Sequence, residues 1–129
     1  MNVVDSNGWL EYLAQGPNAG VFEGPLRQTR ELLVPTVVVT EVRRRLLQQA
    51  ADRHLIDQAI SGMRQARVVP LDFDLAVYAA TLGTTLKLPL ADSIILATAR
   101  SFGAVLWTQD ADFEGLEGVK YYQARPKKK

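Results

Sequence analysis

The sequence predicts a three-layer α/β/α domain, a five-stranded parallel sheet with helices on both faces, and two observations carry that expectation. Short apolar, β-branched runs alternate along the chain with longer segments of helical period, the pattern of parallel strands joined by crossover helices. No repeat, linker or low-complexity stretch divides the 129 residues, a length that fits one domain with one core.

Taken in order, the first strand is expected at residues 2–4 (NVV), followed by a short helix over 6–14 that Gly16 and Pro17 end. A helix over 18–30 leads to the second strand at 32–34, and a helix over 36–51 follows it. Residues 52–66 form a polar, surface-like helix before the third strand at 67–70. The helix over 72–86 is marked by Leu75, Ala76, Ala79, Leu82 and Leu86 at spacings of three and four, and the one over 89–102 by a first-turn proline and a stop at Gly103. Strands at 105–108 and 119–122 complete the sheet. The domain is expected to span 1–124, and RPKKK at 125–129 to be a disordered basic tail.

Composition narrows the function. Fifteen basic and 14 acidic residues give a net charge of +1, so nucleic-acid binding would have to come from local patches and not from bulk charge. Cysteine is absent, which excludes disulfides, zinc thiolate sites and cysteine nucleophiles. His54 is the only histidine, which excludes histidine metal cages; it is assigned to the surface without a role. No apolar run is long enough to span a membrane and the start MNVVD lacks the pattern of a signal peptide, so a cytoplasmic location is expected.

Four acids stand where an apolar fold should have none. Asp5 closes NVVD, Glu41 interrupts VVVTEV, Asp92 opens LADSIILATA, and Asp110 follows VLWTQ. An ionised carboxylate is costly to bury without a partner, and no basic residue stands beside them in these apolar runs. A divalent cation is the natural missing partner, and phosphate-ester cleavage the natural chemistry of a carboxylate-held cation. With the strands in the order 3-2-1-4-5, Asp5 and Asp110 flank the topological switch point between the first and fourth strands. Glu41 and Asp92 lie in the first turns of helices that open on the same edge. Each acid also has a purely structural alternative. Asp5 and Asp110 fit helix or turn caps, Asp92 suits the start of a helix dipole, and Glu41 can pair with Arg45 four residues on.

NVVDSNGWLEYL, VPTVVVTEV, PLADSIILATARSFGAVLWTQDADF and GVKYY together resemble the PIN-domain ribonucleases, most closely the VapC-type toxins of toxin–antitoxin pairs, over the whole chain up to the tail. The resemblance implies a PIN fold and an RNA endonuclease that uses Mg²⁺ or Mn²⁺ and a metal-activated water. It assigns Asp5, Glu41, Asp92 and Asp110 as metal-binding and catalytic acids, Asp112 as an accessory metal-binding acid, and Ser6 and Thr108 as supporting hydroxyls. Asn7 and Gln109 depart from the residues usual at those positions. A cognate antitoxin and a homodimer are the implied partners.

Basic residues around the same edge are the candidates for RNA: Arg44, on the side of its helix that can reach Glu41, then Arg43 and Arg45 on the same helix, with Lys87 and Arg100 near Asp92. The first helix, with Trp9, Leu10, Tyr12 and Leu13, is apolar round most of its circumference, which fits core packing of Trp9 and Leu13 first and a partner surface as the alternative. Two rivals remain. A doubly wound Mg²⁺ phosphatase or receiver domain lacks its paired acids, because Asn7 stands at the second position of the would-be D-x-D, and no strand-end lysine accompanies Asp110. A catalytically inactive PIN module that only binds RNA or protein would gain nothing from the mutual repulsion of the retained acids.

Overall fold

The computed structural model describes residues 1–126. Its sheet consists of β1 (Asn2–Val4), β2 (Leu32–Pro35), β3 (Arg67–Val69), β4 (Val105–Thr108) and β5 (Val119–Tyr121). The order is β3-β2-β1-β4-β5 with every pairing parallel, as expected. β1 is central, with Val3 paired to Leu33 on one side and Leu106 on the other. Helices α1 (Ser6–Leu13), α2 (Ala19–Arg27), α3 (Thr36–Gln48), α4 (Arg53–Gln65), α5 (Phe73–Leu86) and α6 (Leu90–Ser101) join the strands. Short 3₁₀ turns cover Thr29–Glu31 and Ala111–Phe113.

Helices cover both faces of the middle strands, so these strands read as unbroken apolar runs: Val3, Val4, Leu33 and Val34 are wholly buried. Val38 and Val42 of α3, Ile95 and Leu96 of α6, Phe22 of α2 and Phe113 pack into the same core. Trp9 is buried, and Leu10, Tyr12 and Leu13 lie packed against that core, so α1 presents less free apolar surface than its sequence implies. The larger exposed apolar side chains lie elsewhere, Phe73 (81% exposed) and Val77 (55%) on α5 among them.

Helix ends are where expectation and structure part. Helices α1, α3 and α5 close with Gln15, Ala50 and Lys87 in the left-handed region, φ 54°, 52° and 56°. In each the next amide, of Gly16, Ala51 or Leu88, bonds the carbonyl five residues back. No glycine occupies these left-handed positions, so the α3 end at Gln48 has no sequence signal, and the sequence pattern alone carries the helix on to residue 51. α6 closes the same way on Gly103 (φ 62°), the stop that the sequence does show. Pro25 lies inside α2 and lacks an amide hydrogen; the helix ends two residues later and a separate 3₁₀ turn replaces its expected last turn. At the other end of the chain, Arg125 is held by Asn18 and the Pro17 carbonyl. The remaining lysines of the expected tail, 127–129, lie outside the described residues. No helix of the described residues is long and apolar enough to cross a membrane.

Candidate acid site at the carboxyl edge of the sheet

Because all five strands are parallel, the residues that follow β1 and β4 emerge side by side. Asp5 leaves β1, and its amide donates to the Trp107 carbonyl of β4 at 3.0 Å. Its carboxylate is 2% exposed. Oδ1 accepts from the Ser6 amide at 2.7 Å and the Ser6 hydroxyl at 3.4 Å, while Oδ2 accepts from the Thr108 hydroxyl at 2.8 Å. The Asp5 cap suggested by sequence is therefore real, through the Ser6 amide, and coexists with a place in the acid cluster.

Thr108, the wholly buried last residue of β4, joins two acids. Its hydroxyl donates to Asp5 and accepts the Asp110 amide at 2.9 Å. Asp110 in turn caps the Ala111–Phe113 turn, accepting the Asp112 amide at 2.9 Å. Asp92 enters from the first turn of α6, where the N-terminal end of the helix favours an anion. Carboxylate oxygens of Asp92, Asp110 and Asp112 lie within 4.8 Å of one another. Asp112, given only an accessory place by sequence, thus belongs to the tightest group.

Glu41 of α3 is half-buried, and its Oε1 is buried with no hydrogen-bond donor. The Arg45 pairing offered as its structural alternative is not formed, and none of the ion pairs among the described residues includes any of the five acids. Desolvation pushes the Asp5 carboxyl up from 3.8 to about 6; Glu41 and Asp110 add to the rise, and the Thr108 and Ser6 hydrogen bonds oppose it. Asp92 goes further, to about 7, through desolvation and then the charges of Asp5, Asp110, Asp112 and Glu41. Two ionised carboxylates at such spacing repel by on the order of 3 kcal/mol at an effective dielectric of ~20, less where solvent screens the exposed Asp112. A hard divalent cation fits this donor set: every available ligand is oxygen, and the cluster carries negative charge with no paired cation among the described residues.

The basic candidates divide. Arg44 and Arg45 line a cleft of about 230 Å³ with Ser6, Leu10, Glu41 and Gln48, so the arginines open directly beside Glu41. Arg45, which the sequence offers both as a Glu41 partner and as one of the basic candidates beyond Glu41, takes the second of these places. Arg43 is exposed on the same helix. Lys87 is exposed at the close of α5, just before α6 begins at the acid edge. Arg100 does not belong with them. It lies in the last turn of α6, eight residues or about 12 Å along the helix from Asp92, and donates to the Glu117 carbonyl ahead of β5, at the opposite edge of the sheet.

A family model described as PIN domain matches residues 3–119. Among solved structures, a toxin–antitoxin complex from Klebsiella pneumoniae superposes with a TM-score of 0.79 at 22% identity, covering 96% of this chain and 100% of that one. VapC20 of Mycobacterium tuberculosis, a sarcin-ricin-loop-cleaving toxin, gives 0.74 at 19% identity over 98% and 100%. DNA-bound VapBC from Salmonella typhimurium gives 0.73 at 16% identity over 95% and 96%. At these identities the likeness is one of fold. No curated protein sequence matches the chain.

Proposed function

The chain belongs to the PIN domain family, and on that premise we propose that it is a metal-dependent endoribonuclease, the toxin of a type II toxin–antitoxin pair. The observation that carries this reading is the buried Oε1 of Glu41, without a hydrogen-bond donor among the described residues, in a group of acids that no side-chain cation of the described residues neutralises. Asp5, Glu41, Asp92, Asp110 and Asp112 would hold Mg²⁺ or Mn²⁺. Bound there, the ion supplies a water of lowered pKa as nucleophile and offsets charge on the departing 3′-oxygen.

The chain's own groups do the rest. Thr108 fixes Asp5 and the Asp110 backbone relative to each other, and Ser6 holds the second face of the Asp5 carboxylate. Arg44, with Arg45 beside it in the cleft next to Glu41, would take the RNA phosphates, and the exposed Arg43 and Lys87 would add to the positive charge around that edge. Cation binding must displace protons from Asp5 and Asp92, so affinity should rise with pH.

The partners follow from the same reading. A basic side chain of a cognate antitoxin would enter the acid cluster and replace the charge of the ion, and a homodimer would cover the exposed Phe73 and Val77 of α5. The fold neighbours include toxin–antitoxin complexes, which supports the antitoxin and does not supply its identity.

The test is sequencing of new 5′-phosphate ends after total cellular RNA is incubated with the protein and Mg²⁺ or Mn²⁺. Discrete cleavage sites are expected, lost with EDTA and lost by at least about 10³-fold in Asp92→Asn, a change in barrier of roughly 4 kcal/mol. RNA retention without new ends would favour the inactive binding module instead.

A further inference from the structure

Behind the acid cluster, the loop between α1 and α2 carries a buried amide with no part in the site described so far. Asn18 is 3% exposed and occupies the N-cap position of α2, yet its side chain makes no capping bond. Such a bond is worth roughly 1 kcal/mol, so the side chain is committed elsewhere. Its Nδ2 donates to Gln109 Oε1 and to the Gln123 carbonyl, both at 3.0 Å, and its Oδ1 accepts Arg125 Nε at 2.7 Å. Arginine only donates and a carbonyl only accepts, so this amide has one orientation that satisfies both, and it presents nitrogen to Gln109. The backbone amide of Asn18 donates to Glu11 Oε2 at 2.8 Å, and Gly16 leaves room for that carboxylate: a Cβ there would come within 2.1 Å of it.

Gln109 stands between Thr108 and Asp110. Beyond it, the three-residue turn Ala111–Phe113 carries Asp112 and is capped by Asp110, and it is held by the Thr108 hydroxyl, that cap and the buried Phe113. Where Asp92, Asp110 and Asp112 are ionised, mutual repulsion works against their close spacing. The Asn18 bond to Gln109 ties the residue before Asp110 to the α1–α2 loop, and Asn18 is itself braced by Gln123 and Arg125, 105 and 107 residues away in sequence.

We propose that Asn18 is a positioning residue for the cation site: with Gln109 and Arg125 it latches the C-terminal segment to the Asp110–Asp112 turn and keeps those carboxylates at binding distance. The proposal rests on the reading of the acids as a metal site. Losing such outer support lowers metal affinity by about 10–100-fold in known metal sites.

Mn²⁺ binding to the full-length, metal-free protein, measured by calorimetry and by the Mn²⁺ electron paramagnetic resonance signal, tests it without reference to activity. Asn18→Ala is expected to raise Kd by at least about 10-fold, and Arg125→Ala and Gln109→Met by several-fold, with far-UV circular dichroism unchanged. Ile56→Val, a core change in α4 that lowers stability away from the acids, should leave Kd as it is. If wild-type protein binds no Mn²⁺, the functional reading itself falls. If wild type binds and all three latch variants bind equally well, Asn18 is only structural and the proposal is wrong. Should Asn18→Ala not fold, the other two variants decide the matter in the same way.

Discussion

At the amino edge of the sheet the amino terminus of Met1 lies 3.8 Å from Glu31, and Arg100 donates to the Glu117 carbonyl at 3.1 Å. At the carboxyl edge Asp5 and Asp110 meet hydroxyls and backbone amides, Glu41 keeps a buried oxygen without a donor, Asp92, Asp110 and Asp112 crowd one another, and no cationic side chain among the described residues pairs with any of the five. Both edges belong to the same small sheet, so size and composition do not explain the contrast. The carboxyl edge carries a standing electrostatic cost that folding alone does not require. Such a cost persists where a ligand offsets it, which is the physical content of reading this edge as the functional one.

The largest expected effect that sharpens this contrast comes from Thr108→Val. The change preserves volume but leaves Asp5 Oδ2 and the Asp110 amide without their buried partner, a loss of about 1–3 kcal/mol in urea denaturation. Arg100→Ala, which removes one exposed hydrogen bond at the other edge, should cost less than about 1 kcal/mol. Equal costs would mean that the two edges are organised alike.

A smaller effect separates the arginines. Arg44→Ala should lower the slope of log affinity for RNA against log salt by about 1, the loss of one phosphate contact, while Arg100→Ala leaves the slope unaltered. If the two slopes fall together, RNA spans both edges and the division drawn from the cleft beside Glu41 is mistaken.

Part of this contrast is legible in the amino-acid sequence. The β-branched runs locate all five strands to within a residue, most clearly in the middle of the sheet, where Val3, Val4, Leu33 and Val34 are wholly buried; the edge strands β3 and β5 stay partly exposed and admit Arg67 and Lys120. The acids at Asp5 and Asp110 follow from strand ends, and those at Glu41 and Asp92 from helix starts. What the sequence does not show depends on contacts between distant segments or on backbone shape. Asn18 reads as an ordinary helix start, and nothing local ties it to Gln109, 91 residues later. Arg45 has two readings in sequence, partner of Glu41 or phosphate contact, and only its place in the neighbouring cleft separates them. Arg100 shares a helix with Asp92, which suggests proximity; helix length carries it to the other edge. The helix ends at Gln15, Ala50 and Lys87 use left-handed residues that carry no glycine signal.

Melting temperature as a function of Mn²⁺ and pH is the most direct test of the carboxyl edge as a cation site. The Asp5 and Asp92 carboxyls titrate near 6 and 7 in the folded protein, above the ordinary 3.8. Their protonated forms therefore favour the folded state, and that contribution is lost as pH rises through 6 to 7. Without metal, the melting temperature should fall between pH 5 and pH 8, and Asp5→Asn should raise it at pH 8. Millimolar Mn²⁺ should restore several degrees at pH 8, much less at pH 5, and nothing in Asp5→Asn. A melting temperature at pH 8 that does not respond to Mn²⁺ would contradict the account.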